Sequence, residues 1–246
     1  MSHTKEHYSY RVYADPETAR TFDSERFGGA IGEWLKQTQE QLVFDVLLDV
    51  SGWNVIDVGA GTGRFTVPLI GRNAKVVACD ASSEMLQVLQ EKLRSDNLQV
   101  VVGDAHKLEF PDRTFDCAMS FRMLMHVLDW KQALGELCRV SKDWVVVDFP
   151  PRRGFLFFAP IWHRVSSMFK KNVQAYHTLP ISQVKTELAR RGFELISRDS
   201  GFFFPVVVHR TIGSAGFTRA SERLFGAIGL TRLAGSPVTV FARRKK

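Results

Sequence analysis

Cysteine is scarce: the 246-residue chain has three, Cys79, Cys117 and Cys138. No two form a C-x-x-C pair, which excludes a disulfide scaffold and argues against a structural zinc site. All three sit among apolar neighbours and read as buried packing residues. The seven histidines are scattered without an i, i+4 pair, so no metal is expected. No stretch approaches the roughly 18 uncharged apolar residues of a membrane span. Met1 to Arg20 interleaves polar and charged residues and has no apolar h-region, so no secretory signal is expected. There is no internal repeat, no heptad pattern and no glycine period. The expectation is a soluble protein of a reducing, cytoplasmic compartment.

Acid is the other shortage, and it is local. Residues 1–150 carry 16 Lys or Arg against 22 Asp or Glu, whereas residues 151–246 carry 17 against four. A basic C-terminal part attracts nucleic acid, anionic lipid or a phosphorylated small molecule, or simply keeps the chain in solution. What is plentiful is apolar surface. At 45% hydrophobic content the chain can offset its ordering entropy and fold as one large domain, or a domain plus a cap.

Apolar residues recur at helical spacing through 15–50 (Phe22, Phe27, Ile31, Trp34, Leu35, Leu42, Val43, Val46, Leu47) until Ser51-Gly52 ends the run. Strand, loop and helix then alternate. Val55–Val58 is a strand, Gly59-Ala60-Gly61-Thr62-Gly63 a loop, and 64–71 a helix. Lys75–Cys79 is a strand ending at Asp80, followed by a helix over Glu84–Leu93 capped by Ser82 or Ser83. Leu98–Val102 and Phe115–Phe121 are strands, Trp130–Val140 an amphipathic helix, and Trp144–Phe149 a fifth strand. Such alternation describes right-handed βαβ units and a buried parallel sheet with ligands at the strands' carboxyl ends. Beyond Pro150-Pro151, Phe155–Lys171 reads as a helical insertion, Ser182–Arg191 as a helix and Phe193–Val208 as strand material. Thr218–Leu230 reads as a helix and Pro237–Arg243 as a last strand. The expected architecture is a Rossmann-like, doubly wound α/β sheet of seven strands, mostly parallel with an antiparallel edge strand. Residues 1–50 form a helical cap, 53–149 the ligand-binding core, 151–180 a substrate-side insertion, and 181–246 complete the sheet.

Glycines at 59, 61 and 63, between a strand and a helix, let backbone approach a ligand closely and leave N–H groups at a helix start for an electron-rich group. An ordinary tight turn is the plain alternative. Three carboxylates at strand ends favour the ligand. Asp80 lies 21 positions after Gly59, where it would accept both hydroxyls of a ribose. Asp104, after Gly103, would meet an adenine amino group. Asp57 lies inside the first strand and needs a donor or a cation, such as a ligand ammonium, to offset its desolvation. A dinucleotide fingerprint would want a glycine at position 64, which is Arg64, so a nicotinamide cofactor is not expected.

The run Val55-Ile56-Asp57-Val58-Gly59-Ala60-Gly61-Thr62-Gly63-Arg64-Phe65-Thr66 resembles the first motif of class I S-adenosylmethionine-dependent methyltransferases. Val77–Leu86 is similar to their second-strand motif, Gly103-Asp104-Ala105 with Leu108–Asp116 to the adenine-framing segment, and Ser120–Val127 to the fourth-strand segment. Leu137-Cys138-Arg139-Val140 is similar to the late helix of the subfamily of ubiquinone-biosynthesis and small-molecule methyltransferases. The resemblance covers roughly residues 53–150. It implies S-adenosylmethionine as cofactor and S-adenosylhomocysteine (SAH) as product. Gly59, Ala60, Gly61 and Gly63 would approach the amino-acid and ribose parts. Asp80 and Ala81 would lie at the ribose with Met85 packing nearby, Gly103, Asp104 and Ala105 at the adenine, and Phe121 and Arg122 at the methionine end. Arg26 suits the methionine carboxylate by its fork geometry, or is a surface arginine beside Glu25.

A hydroxyl acceptor needs a base, whereas an amine or activated carbon needs mainly positioning. His126, after the fourth strand, leads as base because it titrates near neutrality. His177 with Tyr176 is a second candidate and Asp148 a third; a hydrogen-bonded structural role is the plain alternative for His126. The aromatic and basic stretch Phe155–Lys171 would cap an apolar or anionic small-molecule acceptor, or pack the cap onto the sheet, and its basic side chains leave peripheral contact with an anionic membrane surface open. An RNA methyltransferase using the basic C-terminal part is the runner-up. Nucleic acid is nevertheless not expected, because no RNA-binding module is recognisable. A catalytically silent cofactor-binding scaffold is the third reading. Oligomeric state is not legible.

Overall fold

The structure is a computed structural model that describes residues 13–152, 177–204, 208–209 and 212–246. The expected insertion helix Phe155–Lys171 and Tyr176 lie outside the described residues. Helix α1 (Pro16–Phe27) starts on Asp15, whose carboxylate accepts from Thr18 N at 2.8 Å, with Pro16 preset for the first turn. Gly28 adopts an extended conformation and breaks the expected helical run there, so that α2 (Gly29–Leu47) sets off as a separate helix.

β1 (Asn54–Val58) is buried along both faces from Val55 onward, as a central parallel strand must be. It is followed by α3 (Thr66–Ile70), β2 (Lys75–Asp80) and α4 (Ser83–Lys92), where Ser82 caps α4 by accepting from Met85 N at 3.1 Å. Then come β3 (Leu98–Val102), β4 (Phe115–Ser120), α5 (Trp130–Val140) and β5 (Ser141–Phe149). β5 begins three residues before the apolar run at Trp144. The polar residues 141–143 are drawn into the sheet because Ser141 pairs with Phe115 across a register shift.

After α6 (Ile181–Arg190), β6 (Phe193–Ser200) stops well short of Val208. The reason is Glu222: its carboxylate accepts from Phe203 N at 2.7 Å and Phe204 N at 3.0 Å, taking donors that a longer strand would have offered a neighbour. α7 (Ala215–Ala227), α8 (Leu230–Ala234) and β7 (Val238–Arg244) complete the described chain. Gly229, at φ 77°, makes the left-handed step between the last two helices.

Among the described residues seven strands form one sheet in the order β3-β2-β1-β4-β5-β7-β6. Pairings are parallel from β3 across to β5, and β7 is antiparallel to both β5 and β6. The sheet is therefore Rossmann-like and mostly parallel, with the antiparallel strand on the β6 side, as the sequence led us to expect. Ile56, Val58, Leu134, Leu137, Val145 and Leu188 pack one face, and Val43, Leu47, Val55, Leu69, Val76 and Met119 the other. Leu86 and Leu89 of α4 close the second face beyond Ala78. The order in which strands are added reverses between the parallel neighbours β1 and β4, so their carboxyl ends flank an open crevice.

Candidate functional site

That crevice opens into a cavity whose empty space, counted out to bulk solvent at its mouth, is about 1180 Å³. The glycine loop forms its floor. Gly59 has φ 76°, and a Cβ there would stand 2.8 Å from Met123 Cβ across the β1–β4 gap. Gly61, at φ 54°, has no atom within 4 Å of a would-be Cβ, so open space begins at that backbone. Both backbone shapes are ones that side chains resist. Asp80 anchors the loop: its two oxygens accept from Gly61 N at 2.8 Å and Ser82 N at 2.9 Å. Each oxygen keeps lone-pair capacity toward the cavity, which suits the vicinal hydroxyls of a ribose. Burial raises the Asp80 carboxyl above the ordinary aspartate value, against those backbone donors.

Asp57 is 3% exposed and its Oδ2 accepts from Thr66 Oγ1 at 2.8 Å. The donor that this buried carboxylate required is thus the first residue of α3. Burial still pushes the group up to about 6, the Thr66 bond opposing and the nearby Asp80 adding to the rise. A cation seated in the cavity would relieve it.

The cavity is lined by Asp57, Gly59, Ala60, Gly61, Asp80, Ala81, Met85, Gly103, Ala105, Phe121, Arg122, Arg26 and His126, which the sequence had singled out. Two others stand apart. Gly63, at φ 90°, faces α4, where a Cβ would lie 2.3 Å from Leu89 Cδ1; its smallness serves helix packing. Asp104 turns away to His106, accepting from its backbone N at 2.9 Å and meeting its Nδ1 at 2.7 Å.

Of the base candidates, His126 lines the cavity, with Tyr13 edge-on to its ring at 6.3 Å. His177 donates its backbone N–H to Met125 O at 3.0 Å, and its side chain is exposed outside the lining. Asp148 is buried at the end of β5 and accepts from Arg122 N. It holds Arg122 in a left-handed conformation, φ 58°, at the cavity wall. Burial raises its carboxyl, and Arg122 and Arg64 oppose that. Among the described residues no three His, Cys, Asp or Glu side chains cluster to hold a metal. All three cysteines are buried and unpaired, and burial pushes the thiols of Cys79 and Cys138 up to about 12.

Several lining residues carried no legible signal. Tyr13, Phe22 and Phe27 come from the α1 segment, which roofs the cavity. Asp23 pins that roof: it accepts from Thr62 Oγ1 at 2.6 Å and pairs with Lys92. Ser82 Oγ donates to Tyr13 O at 2.7 Å. Arg26 sits 4.8 Å over the Phe22 ring and reaches Tyr13 Oη at 3.4 Å. Arg64 stands 4.4 Å over Phe27, and its Nε and Nη1 are buried without a hydrogen-bond partner among the described residues. Burial and the neighbouring Arg122 lower its guanidinium to about 10. Its one sequence signal was the glycine missing at that position. Phe65 and Phe121 stack at 3.7 Å beside it.

Residues 56–144 match a family model described as a methyltransferase domain. The chain is 31% identical over 161 residues to the ubiquinone/menaquinone biosynthesis C-methyltransferase of Cronobacter sakazakii, covering 62% of this chain and 57% of the relative. It is 36% identical over 115 residues to the demethylmenaquinone methyltransferase of Shouchella clausii, covering 44% and 47%. The chain thus spans about half the length of these curated relatives. The fold is shared with magnesium protoporphyrin IX methyltransferase from Synechocystis, solved with bound SAH, at a TM-score of 0.66 and 16% identity over 96% of this chain and 99% of that one. The glycine loop and the crevice it floors lie within the residues matched by the methyltransferase-domain model, and the overall fold is one shared with methyltransferases of known structure.

Proposed function

We propose that the protein transfers a methyl group from S-adenosylmethionine to a small acceptor, in line with the carbon–sulfur bond. The reading rests chiefly on Asp80, a half-buried carboxylate fixed by two loop N–H groups at the edge of an open cavity floored by Gly59 and Gly61. Bound there, the cofactor supplies a methyl group on a positively charged sulfur, electrophilic enough that the protein has mainly to orient, desolvate and accept a proton.

Each task has residues. Asp80 holds the ribose, Gly103 and Ala105 face the adenine, and Asp57 offsets the positive amino-acid end. Tyr13, Phe22 and Arg26 of the roof exclude water. An imidazole nitrogen of His126 takes up the proton that a hydroxyl or activated-carbon acceptor releases, and passes it to solvent. The wall of Phe27, Phe65 and Phe121 beside Arg64 and Arg122 suits a flat, apolar acceptor with an electron-rich or acidic substituent. The named substrates of the relatives, quinones and a porphyrin, are flat molecules of that kind.

The test is incubation of the protein and a labelled methyl donor with a metabolite extract and with demethylated quinols, followed by identification of the product. A labelled small aromatic or quinol product is expected, with His126→Ala slowing its formation while SAH affinity stays unchanged. SAH binding without any labelled product would instead establish a silent scaffold, and label confined to RNA would establish the nucleic-acid reading.

A further inference from the structure

Arg64 lines the cavity, yet its Nε and Nη1 are shielded from solvent and meet no hydrogen-bond partner among the described residues. Buried donors left unpaired are costly, so their presence needs a reason. The rings of Phe27 and Phe65 lie 4.4 Å and 5.6 Å from the guanidinium carbon. Their faces attract its charge but accept no ordinary hydrogen bond in the plane of its N–H groups.

The chain has little acid with which to complete this arginine. Asp148 is acted on by both Arg64 and Arg122, so one carboxylate stands against two cations, and its Oδ2 is itself buried without a donor among the described residues. The other acids that act on Arg64 are Glu40, shared with Lys36 at 3.9 Å, and Asp23, paired with Lys92. Outside the described residues the sequence holds a single acid, Glu6, and residues 153–176 contain none. Arg64 therefore brings an unmatched positive charge to the cavity wall, and the fitting partner is an anion from outside the chain.

The position of Arg64 in the sheet indicates which ligand carries that anion. Asp80, Gly103 and Ala105, given above to the nucleoside, stand at the carboxyl ends of β2 and β3. Arg122 and Asp148, the charged neighbours of Arg64, stand at those of β4 and β5, on the other side of β1. The methionyl carboxylate suits Arg26 of the roof, which leaves the β4–β5 side to the acceptor. There Phe27, Phe65 and Phe121 supply flat apolar faces around the guanidinium.

We propose that Arg64 determines acceptor specificity, and that the acceptor is a flat aromatic monoanion whose carboxylate rests on this guanidinium while another of its atoms is methylated. The inference rests on the methyltransferase reading. An arginine fork matches a carboxylate in geometry, and exclusion of water strengthens the pair. One unmatched cation balances one negative charge, whereas a phosphate monoester would bring a second.

The test uses the full chain saturated with SAH and two probes of similar shape, 2-naphthoate and the neutral 2-naphthamide, titrated by calorimetry. The native chain should bind the acid at least about tenfold more tightly than the amide, the scale of hydrogen bonds to a charged group. R64M should erase that preference by weakening naphthoate alone, with SAH affinity unchanged and no fall in thermal midpoint, since a buried unpaired charge is removed. R64K, which keeps the charge without the fork, should retain only part of the preference. Equal binding of acid and amide to the native chain, or a preference that survives in R64M, would overturn the inference. So would a loss of SAH affinity in R64M, which would give Arg64 to the cofactor's own carboxylate, or a lowered midpoint, which would make it a structural stack on Phe27. Failure of SAH to bind the native chain would instead overturn the methyltransferase reading on which the inference rests.

Discussion

Replacing Asp80 by alanine tests the site at the residue that joins its architecture to its ligand. The carboxylate accepts Gly61 N at 2.8 Å and Ser82 N at 2.9 Å, and in the proposed complex also the two ribose hydroxyls. Hydrogen bonds to a charged group contribute more than neutral ones. Their loss should weaken SAH binding by about 1–3 kcal/mol, roughly five- to 150-fold. Two backbone N–H groups also lose their acceptor, so the unliganded protein should lose about 1–3 kcal/mol of stability as well. That second effect would confuse a single affinity measurement. The cleaner assay is therefore a cycle by titration calorimetry: native and D80A protein, each with SAH and with its 2′-deoxy analogue. If Asp80 holds the ribose, the native protein discriminates against the analogue and the variant does not, and the interaction energy appears as non-additivity. Equal discrimination by both proteins would show that Asp80 only shapes the loop, and the assignment of the ribose to it would be wrong.

Asp57 makes ligand binding pH-dependent. Its carboxyl, raised by burial to about 6 from 3.8, takes up a proton in the folded, unliganded chain between those values, so this group's contribution makes stability fall as pH rises through that window. The corresponding penalty for the buried charge is about 3 kcal/mol. A bound ammonium favours the charged form, so SAH affinity should weaken as pH drops below about 6; calorimetry from pH 5 to 7.5 that shows a flat profile would refute this. Gly63→Ala combines a φ of 90° with a Cβ 2.3 Å from the buried Leu89 side chain and should cost about 1–3 kcal/mol, read as a fall in thermal midpoint. Glu222→Ala strips the acceptor from Phe203 and Phe204 N–H and the partner from His209, and should cost about 2–4 kcal/mol by chemical denaturation. An unchanged midpoint would mean the turn after β6 is held by other contacts.

The matched methyltransferase core covers residues 56–144, while the basic C-terminal part lies outside it. That part supplies β6 and β7 and the α7–α8 hairpin, so the charge asymmetry of the sequence acquires a location. Its cations Arg219, Arg223 and Arg232 on α7 and α8 are exposed and do not line the cavity.

Local chemistry in the sequence was enough to determine the alternating strands and helices of the core. Buried parallel strands must be continuously apolar, a strand-to-helix turn against a ligand needs backbone shapes that only glycine adopts cheaply, and a carboxylate at the next strand end is 21 residues away whatever the rest of the chain does. Tertiary structure alone decided which neighbours share the cavity. Gly63 and Asp104 stand in the right motifs yet face elsewhere: Gly63 meets Leu89 of the docked helix α4, and Asp104, two residues past β3, is taken up by its neighbour His106. Tyr13 and Phe22 reach the site because α1 folds over it, held by Asp23 on Thr62 and Lys92. Nothing in a linear pattern marks that contact, since it joins segments dozens of residues apart whose own helical periods are satisfied either way.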